Sequence, residues 1–520
     1  MLDMLQIYDT TLRDGTQRKG ISLSASDKVR IAKRLDELGV TFIEGGWPGS
    51  NPKDIEFFNQ ASKINWKHAT ITAFGSTCRV NGQPENDANI QALLEANTLV
   101  CTIVGKSWDL HVKDVLKTTP EENLRIIEES TAYLVSKGKR VMFDAEHFFD
   151  GYKADATFAL DTLKAAARGK AEMVVLCDTN GGCMPWEITE IVNAVKQAVD
   201  VPLGIHVHND AEMAVANSVM AVQAGCVQVQ GTINGYGERC GNANLCSILP
   251  NLEIKLGYSC LPDGKMKELY EAAHFVTEVA NLPHDNHLPY VGAAAFAHKG
   301  GIHVAAMRRN PDSYQHIRPE LVGNEMQVVV SELSGRGNLI SKAEEIGLDV
   351  KNMSDTADIL THIKDLESKG FSFEAAEASV GMMLKRSEAG YEPPYELVDF
   401  LVNVEHRQGR GILAEATVKI KVGGEVQHTA AEGNGPVDAL DKAMRKALIN
   451  HYPQITKFHL SDYKVRILDG DKGTQATTRV LIDTKNGSKQ WSTVGASANI
   501  IEASWQALSD SFEYGLMVAQ

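Results

Sequence analysis

The sequence predicts an α/β protein that opens with a (β/α)8 TIM barrel and continues into a helical linker and a C-terminal α+β domain. Three observations carry that prediction. From residue 5 to about 250 a short β-rich run is followed by a helical stretch roughly every 30 residues, the length of a βα unit. There are eight such runs, enough to close a barrel. Polar and ionisable residues gather where those runs end, the rim on which a barrel carries its active site. An open doubly wound sheet is the alternative, weakened because no Gly-x-Gly-x-x-Gly follows the first run.

The eight strand candidates cover 5–10, 41–45, 70–74, 99–104, 140–144, 173–177, 203–207 and 227–233. A helix is expected over 24–39, with Ser24 as N-cap, Asp27 three residues on and Gly39 as its end. Val29, Ala32, Leu35 and Leu38 make its apolar stripe. After about residue 265 the rhythm changes to mostly helical, with a loop-rich stretch over 284–318. The Gly-Tyr-Glu-Pro-Pro segment at 390–394 marks a linker or a domain start. Beyond it, strand-like runs at 398–404, 413–422 and 425–431 precede a helix over 435–451. Runs at 463–468, 477–485 and 489–496 precede a helix over 499–512. Three strands and a helix, twice over, predict an α+β domain with an internal repeat. The expected domains are thus 1–265, 266–390 and 391–520.

At 520 residues the chain is too long for one core. A net charge of -15 argues against nucleic acid as the main partner, since phosphate binding wants a basic face. No apolar run reaches the ~18 residues of a membrane span. The first eight residues lack the basic-then-apolar pattern of a signal peptide. The eight cysteines are scattered without a Cys-x-x-Cys pair, which predicts buried reduced thiols in a cytoplasmic protein.

The rim residues carry the chemistry. His206 and His208, one residue apart on a strand, face the same way and supply half of a divalent-metal site. The first strand leads into Asp9-Thr10-Thr11-Leu12-Arg13-Asp14-Gly15, whose Asp-Gly is either a turn or a further ligand. Strand two ends in Glu44, strand five in Asp144-Ala145-Glu146-His147, strand six in Asp178-Thr179-Asn180, and strand eight leads into residues 234–242. Six strands therefore send ionisable or amide groups to one rim.

Residues 9–15, His206-Val207-His208-Asn209-Asp210 and Gly235-Tyr236-Gly237-Glu238-Arg239-Cys240-Gly241-Asn242 resemble the three signature segments of the DRE-TIM metallolyases. The likeness is greatest to the acyl-CoA-condensing branch, the 2-isopropylmalate, homocitrate and citramalate synthases. The strings IEGGWPGSNPKD (43–54) and QGTINGYGERCGNANL (230–245) are similar to those of long-form citramalate synthases. This resemblance implies Asp14, His206, His208 and Asn242 as ligands of a divalent ion, Zn, Mn, Mg or Co, acting as a Lewis acid on a ketone. It implies acetyl-CoA and pyruvate as substrates, condensed and hydrolysed to citramalate and CoA. Arg13 would stabilise charge on oxygen, or pair with Glu44. Thr179 would bind the oxo acid's carboxylate, or cap the following helix. Glu44 and Asp144 join them as substrate-binding groups. Glu146, as base or anchor, and His303 with Tyr314, from the Phe296–His303 segment onward, would serve proton transfer. Cys240 reads as a space-filling thiol.

The resemblance further implies a homodimer, and a C-terminal domain that binds a feedback amino acid, isoleucine for a citramalate synthase. A 2-isopropylmalate synthase acting on 2-oxoisovalerate is the alternative enzyme. A non-catalytic amino-acid sensor is the alternative from another class.

Overall fold

In a computed structural model the eight runs become parallel strands: β1 (Gln6–Asp9), β2 (Phe42–Gly46), β3 (Thr70–Ser76), β4 (Val100–Lys106), β5 (Arg140–Glu146), β6 (Met173–Asp178), β7 (Leu203–Val207) and β8 (Gln228–Gly231). Each pairs with the next, and β8 returns to β1 with Gln6 opposite Gln228, so the sheet is a closed barrel. The structure describes residues 4–331, 334, 336–345, 356–388, 390–409, 411–487 and 489–518.

Three strand ends differ from the sequence expectation in ways that matter. β4 and β5 run on to Lys106 and Glu146, which stand side by side in register. β8 stops early, because Asn234 and Gly235 take left-handed backbone (φ +60° and +67°) and Ile233 falls into a 3-10 turn. The Thr232 hydroxyl donates to the Tyr236 carbonyl at 2.7 Å and holds that turn.

The first helix spans Ala25–Leu38 with the expected capping box: Asp27 N donates to Ser24 Oγ at 3.1 Å, and Ser24 N to the Asp27 carboxylate at 3.0 Å. Its buried face is Ile31, Ala32, Leu35 and Leu38, with Val29 only partly covered, so the stripe lies slightly around from the expected one.

Inside the barrel, Tyr8, Phe42, Val100, Met142, Met173, Val175 and Cys177 form their own apolar cluster, as inward side chains of a packed barrel do. The Tyr8 hydroxyl leaves that cluster to donate to Glu44 at 2.7 Å, with Thr102 at 2.8 Å and Thr72 at 3.0 Å. A buried phenol needs such partners, and here they begin the polar floor of the site. Seven of the eight cysteines are buried; Cys240 is exposed, contrary to expectation, and follows the exposed Glu238 and Arg239.

The chain divides into two compact units, Met1–Phe296 with Ile317–Glu325, and Ala297–His316 with Met326–Gln520. In the second, short strands β9 (Ala297–His298) and β10 (Gln327–Val328) pair in parallel. Helices cover Gly301–Arg309, Arg336–Glu345, Thr356–Ser368 and Glu377–Arg386. The expected helical character of 332–333, 335, 346–355 and 389 lies outside the described residues. Strands β11 (Glu396–Arg407), β12 (Gly411–Val422) and β13 (Glu425–Gly433) form one antiparallel sheet, followed by a helix over Pro436–Leu448. Strands β14 (His459–Ile467), β15 (Thr478–Asn486) and β16 (Lys489–Ser497) form another, followed by a helix over Ile500–Val518. This is the repeat the sequence predicts.

The helix Glu377–Arg386, which the rhythm of the sequence puts in the linker, is tied to the last helix. Arg386 pairs with Asp510 at 2.8 Å and with Glu513, and the Ser379 hydroxyl donates to Asp510 at 2.7 Å. Among the described residues no helix is long and apolar enough to cross a membrane.

Candidate active site and metal centre

β7 turns His206 inward, and His208 follows on the same side, as period-two geometry requires. Their Nε2 atoms lie 3.4 Å apart. Asp14 arrives from the loop after β1, its Oδ2 3.3 Å from His206 Nε2 and 3.9 Å from His208 Nε2. Gly15 N donates to the Thr10 carbonyl at 3.0 Å and fixes that loop. Asn242 pairs with His208 in an antiparallel bridge. The glycines of its loop are sterically required: a Cβ at Gly237 would sit 2.2 Å from Asn242 Nδ2, and one at Gly241 (φ +97°) 2.1 Å from the Gly235 carbonyl oxygen.

Ligand atoms of Asp14, His206 and His208 lie within 4.8 Å of one another, and all three residues are buried. Asp14 Oδ1 and Asn242 Oδ1 are buried acceptors without a hydrogen-bond donor. Leaving such groups unpaired is costly, and a cation is a partner that satisfies both. Two imidazoles, a carboxylate and an amide oxygen are a donor set that fits a divalent ion.

Burial opposes ionisation of Asp14, but Arg13 and the hydrogen-bonded His206 outweigh it and hold the carboxyl well below the usual range. Burial likewise opposes protonation of His206, and the bond to Asp14 reverses it, raising the imidazole. His208 is pushed down to about 4 by burial and then by the charge on His206.

Arg13 Nε donates to Glu44 Oε2 at 2.6 Å, so the ion pair weighed for Arg13 is present. Its Nη1 lies 3.3 Å from Asp14 Oδ2, and its guanidinium carbon 3.8 Å over the Phe74 ring. Glu44 is fully enclosed and also accepts from Tyr8 and Thr10. Its carboxylate is spent on aiming Arg13.

A cavity of about 500 Å3 opens above this floor. Its wall holds Arg13, Asp14, Asp144, Glu146, Thr179, His206 and His208. The volume suits a small acid with part of a larger ligand. Glu146 is ion-paired with Lys106, its register neighbour. Thr179 Oγ1 accepts from His147 N at 2.9 Å, which ties two rim loops together and leaves the hydroxyl proton free to donate. It does not cap the next helix, which starts at Pro185 behind Met184. Burial raises Asp144 to about 7. In the second unit His303, on the helix Gly301–Arg309, stacks on Tyr314 with ring centroids 4.3 Å apart.

Sequence reasoning missed Lys106, Phe74 and Gln230. Lys106 stands at the end of β4, where a charged residue closing an apolar run was the available signal. Gln230 lies inside a motif, and its inward alternation with Gln228 was readable.

The HMGL-like family model matches residues 4–276, the homocitrate synthase post-HMGL domain-like model 290–370, and the LeuA allosteric (dimerisation) domain model 374–516. An (R)-citramalate synthase of Geobacter sulfurreducens is 52% identical over 517 residues, covering 99% of this chain and 98% of that protein. One from Aquifex aeolicus is 52% identical over 520 residues, 99% of this chain and 98% of that protein. A 2-isopropylmalate synthase of Methanocaldococcus jannaschii is 31% identical over 517 residues, 98% of this chain and 94% of that protein. The chain belongs to the HMGL-like family, in the branch that holds the (R)-citramalate and 2-isopropylmalate synthases. The family is metal-dependent, in keeping with the possible metal site of Asp14, His206 and His208.

Proposed function

We propose that the chain is an (R)-citramalate synthase, joining acetyl-CoA to pyruvate and releasing citramalate and CoA in isoleucine biosynthesis. One observation carries the chemistry: Arg13, Asp14, His206 and His208 share a single cavity wall with Glu146 and Thr179. The choice of acceptor rests on the relatives. Those named (R)-citramalate synthase reach 52% identity, and those named 2-isopropylmalate synthase 31%.

Asp14, His206, His208 and Asn242 would hold a divalent ion, Zn, Mn, Mg or Co, which supplies Lewis-acid polarisation of the oxo acid's carbonyl. Thr179 donates a hydrogen bond from its hydroxyl to the oxo acid's carboxylate. Glu146 removes a proton from the acetyl methyl, with His303 the other candidate for that base. The resulting carbon nucleophile bonds to the pyruvate carbonyl carbon, and Arg13 balances the charge that gathers on its oxygen. That oxygen takes up a proton, and one water cleaves the thioester to leave a carboxylate and free CoA. Hydrolysis makes the sequence irreversible. Tyr314, stacked on His303, steadies that imidazole.

The same reading gives residues 1–265 the catalysis, 266–390 the linker and 391–520 the dimer contact and a feedback site for isoleucine, in a cytoplasmic enzyme. Release of CoA, measured with a panel of 2-oxo acids, tests it. Pyruvate should be the preferred acceptor, and isoleucine should inhibit. Preference for 2-oxoisovalerate would make the chain a 2-isopropylmalate synthase. Silence with every 2-oxo acid, metal supplied, would favour the sensor.

A further inference from the structure

We infer that Gln230, held by Asp144, is a positioning residue that fixes which ring nitrogen of His206 faces the metal site; this rests on the metal reading given above.

His206 on β7 and Gln230 on β8 are direct partners across the two strands, so their side chains lie next to each other inside the barrel. Gln230 Oε1 lies 3.0 Å from His206 Nδ1. The other end of the amide is pinned: Nε2 donates to Asp144 Oδ1 at 3.2 Å and to Gln228 Oε1 at 3.4 Å. Gln228 is itself oriented, since its Nε2 donates to Gln6 Oε1 at 3.1 Å.

A flipped Gln230 amide would set its carbonyl oxygen against Gln228 Oε1 and, with Asp144 ionised, against a second acceptor oxygen. The unflipped amide therefore holds, and its oxygen meets Nδ1, which must be an N–H. Gln230 and Gln228 are fully enclosed, Asp144 is 3% exposed and His206 5%, so bulk water does not compete for these bonds. With Nδ1 committed to Gln230, Nε2 is the nitrogen turned toward Asp14 and His208, and the proton it shares with Asp14 is the one a bound cation would displace. A ligating imidazole commonly needs this kind of support, and its loss typically weakens metal binding. His208 Nδ1 has no such partner, so the burden of preorganisation falls on His206.

What position 230 must supply is an acceptor for Nδ1. A carboxylate at 230 would still accept from Nδ1, but it would meet Asp144 without an N–H to offer, and the two acids would share a proton. An apolar side chain of similar size would fill the space and free the ring.

The test is metal affinity of the full-length apoprotein, read by competition for Co2+ against a chromophoric chelator. Gln230→Leu should bind Co2+ about 10- to 100-fold more weakly than the parent. Gln230→Glu, which keeps the acceptor, should stay within about threefold. An unchanged affinity in Gln230→Leu would overturn the inference and leave Gln230 as filling. So would a loss in Gln230→Glu as large as that in the leucine variant. Should Gln230→Leu fail to fold, the parent protein decides. Histidine-ring 15N spectra of the Zn2+-loaded form should show His206 protonated at Nδ1, and a proton at Nε2 refutes the assignment. If the parent binds no Co2+, the metal reading itself fails, which separates that failure from an unchanged leucine variant.

Discussion

The Arg13–Glu44 pair offers a demanding test of how the floor of the site is built. Glu44 is fully enclosed and takes no part in the cavity wall, while Arg13 is 13% exposed at its side chain and does. Glu44→Gln keeps the shape and one acceptor oxygen, enough for the Tyr8 bond or for the Thr10 and Arg13 bonds, and removes the charge. A buried cation stripped of every partner costs about 3–5 kcal/mol, and Arg13, which keeps Asp14, should lose at most that. For a unit of this size each kcal/mol lowers Tm by about 2–4 °C, so a fall of up to about 20 °C is expected by calorimetry. The CoA-release rate should drop as well, by about 100-fold, because a guanidinium misplaced by about 1 Å no longer meets the reacting oxygen.

The decisive arm is the double variant Arg13→Gln/Glu44→Gln. It removes both charges at once and should recover about 0.5–3 kcal/mol relative to the sum of the single variants, yet stay inactive. Stability losses that simply add, or an active Glu44→Gln enzyme at full rate, would refute the claim that Glu44 acts through Arg13.

Three further outcomes are expected. His208→Ala should abolish CoA release and weaken metal binding with little change in circular dichroism; full activity after metal stripping would contradict the site. Lys106→Met should lower kcat by about 10-fold or more, since Glu146 loses its cation, while Tm moves little because an ion pair about a quarter exposed contributes about 0–1 kcal/mol. Burial raises Asp9 to about 7 in the fold against 3.8 unfolded, so the protonated acid is the form the fold prefers. Its stabilising contribution is complete below pH ~4 and is lost as pH rises to ~7, by at most about 4 kcal/mol. Urea titrations across that window should show the parent losing stability relative to Asp9→Asn, and parallel curves would exclude the effect.

The barrel was legible because its signal is periodic. Eight β-rich runs at unit spacing survive errors of one or two residues at their ends. His206 and His208 were legible for the same reason, since a two-residue spacing fixes a shared face before any partner is known. Asn242 was not readable that way: only a tight glycine-rich turn brings it back against His208, and it entered through the motif alone. Lys106 was lost because Gly105 interrupts the β-rich pattern and the predicted strand stopped at 104. Pairing with β5 carries the real strand two residues further. Gln230 escaped because composition reads glutamine as a surface residue, whereas a barrel interior can bury it once His206 and Asp144 stand opposite. Each miss is a residue whose role is set by a neighbour distant in sequence.

The charge pattern of the floor explains why an acidic protein can be built to take anionic substrates. Arg13 is matched by Glu44, and Lys106 by Glu146. That leaves Asp14 and Asp144 around His206 and His208, with Asp14 held ionised and Asp144 divided between its two forms near neutrality. With the His206 imidazole raised beside an ionised Asp14, the two nearly cancel, so the deepest part of the cavity offers no net positive charge to an oxo acid's carboxylate and an anionic ligand set to a divalent cation. Once such a cation is bound, its two charges turn the local balance positive and the same wall attracts an anion. The order of assembly follows from electrostatics alone: metal first, oxo acid second. Binding of the oxo acid should accordingly be undetectable by calorimetry in the chelator-treated protein and appear on adding metal. Equal binding in both would mean that Arg13 and Thr179 suffice to hold the carboxylate.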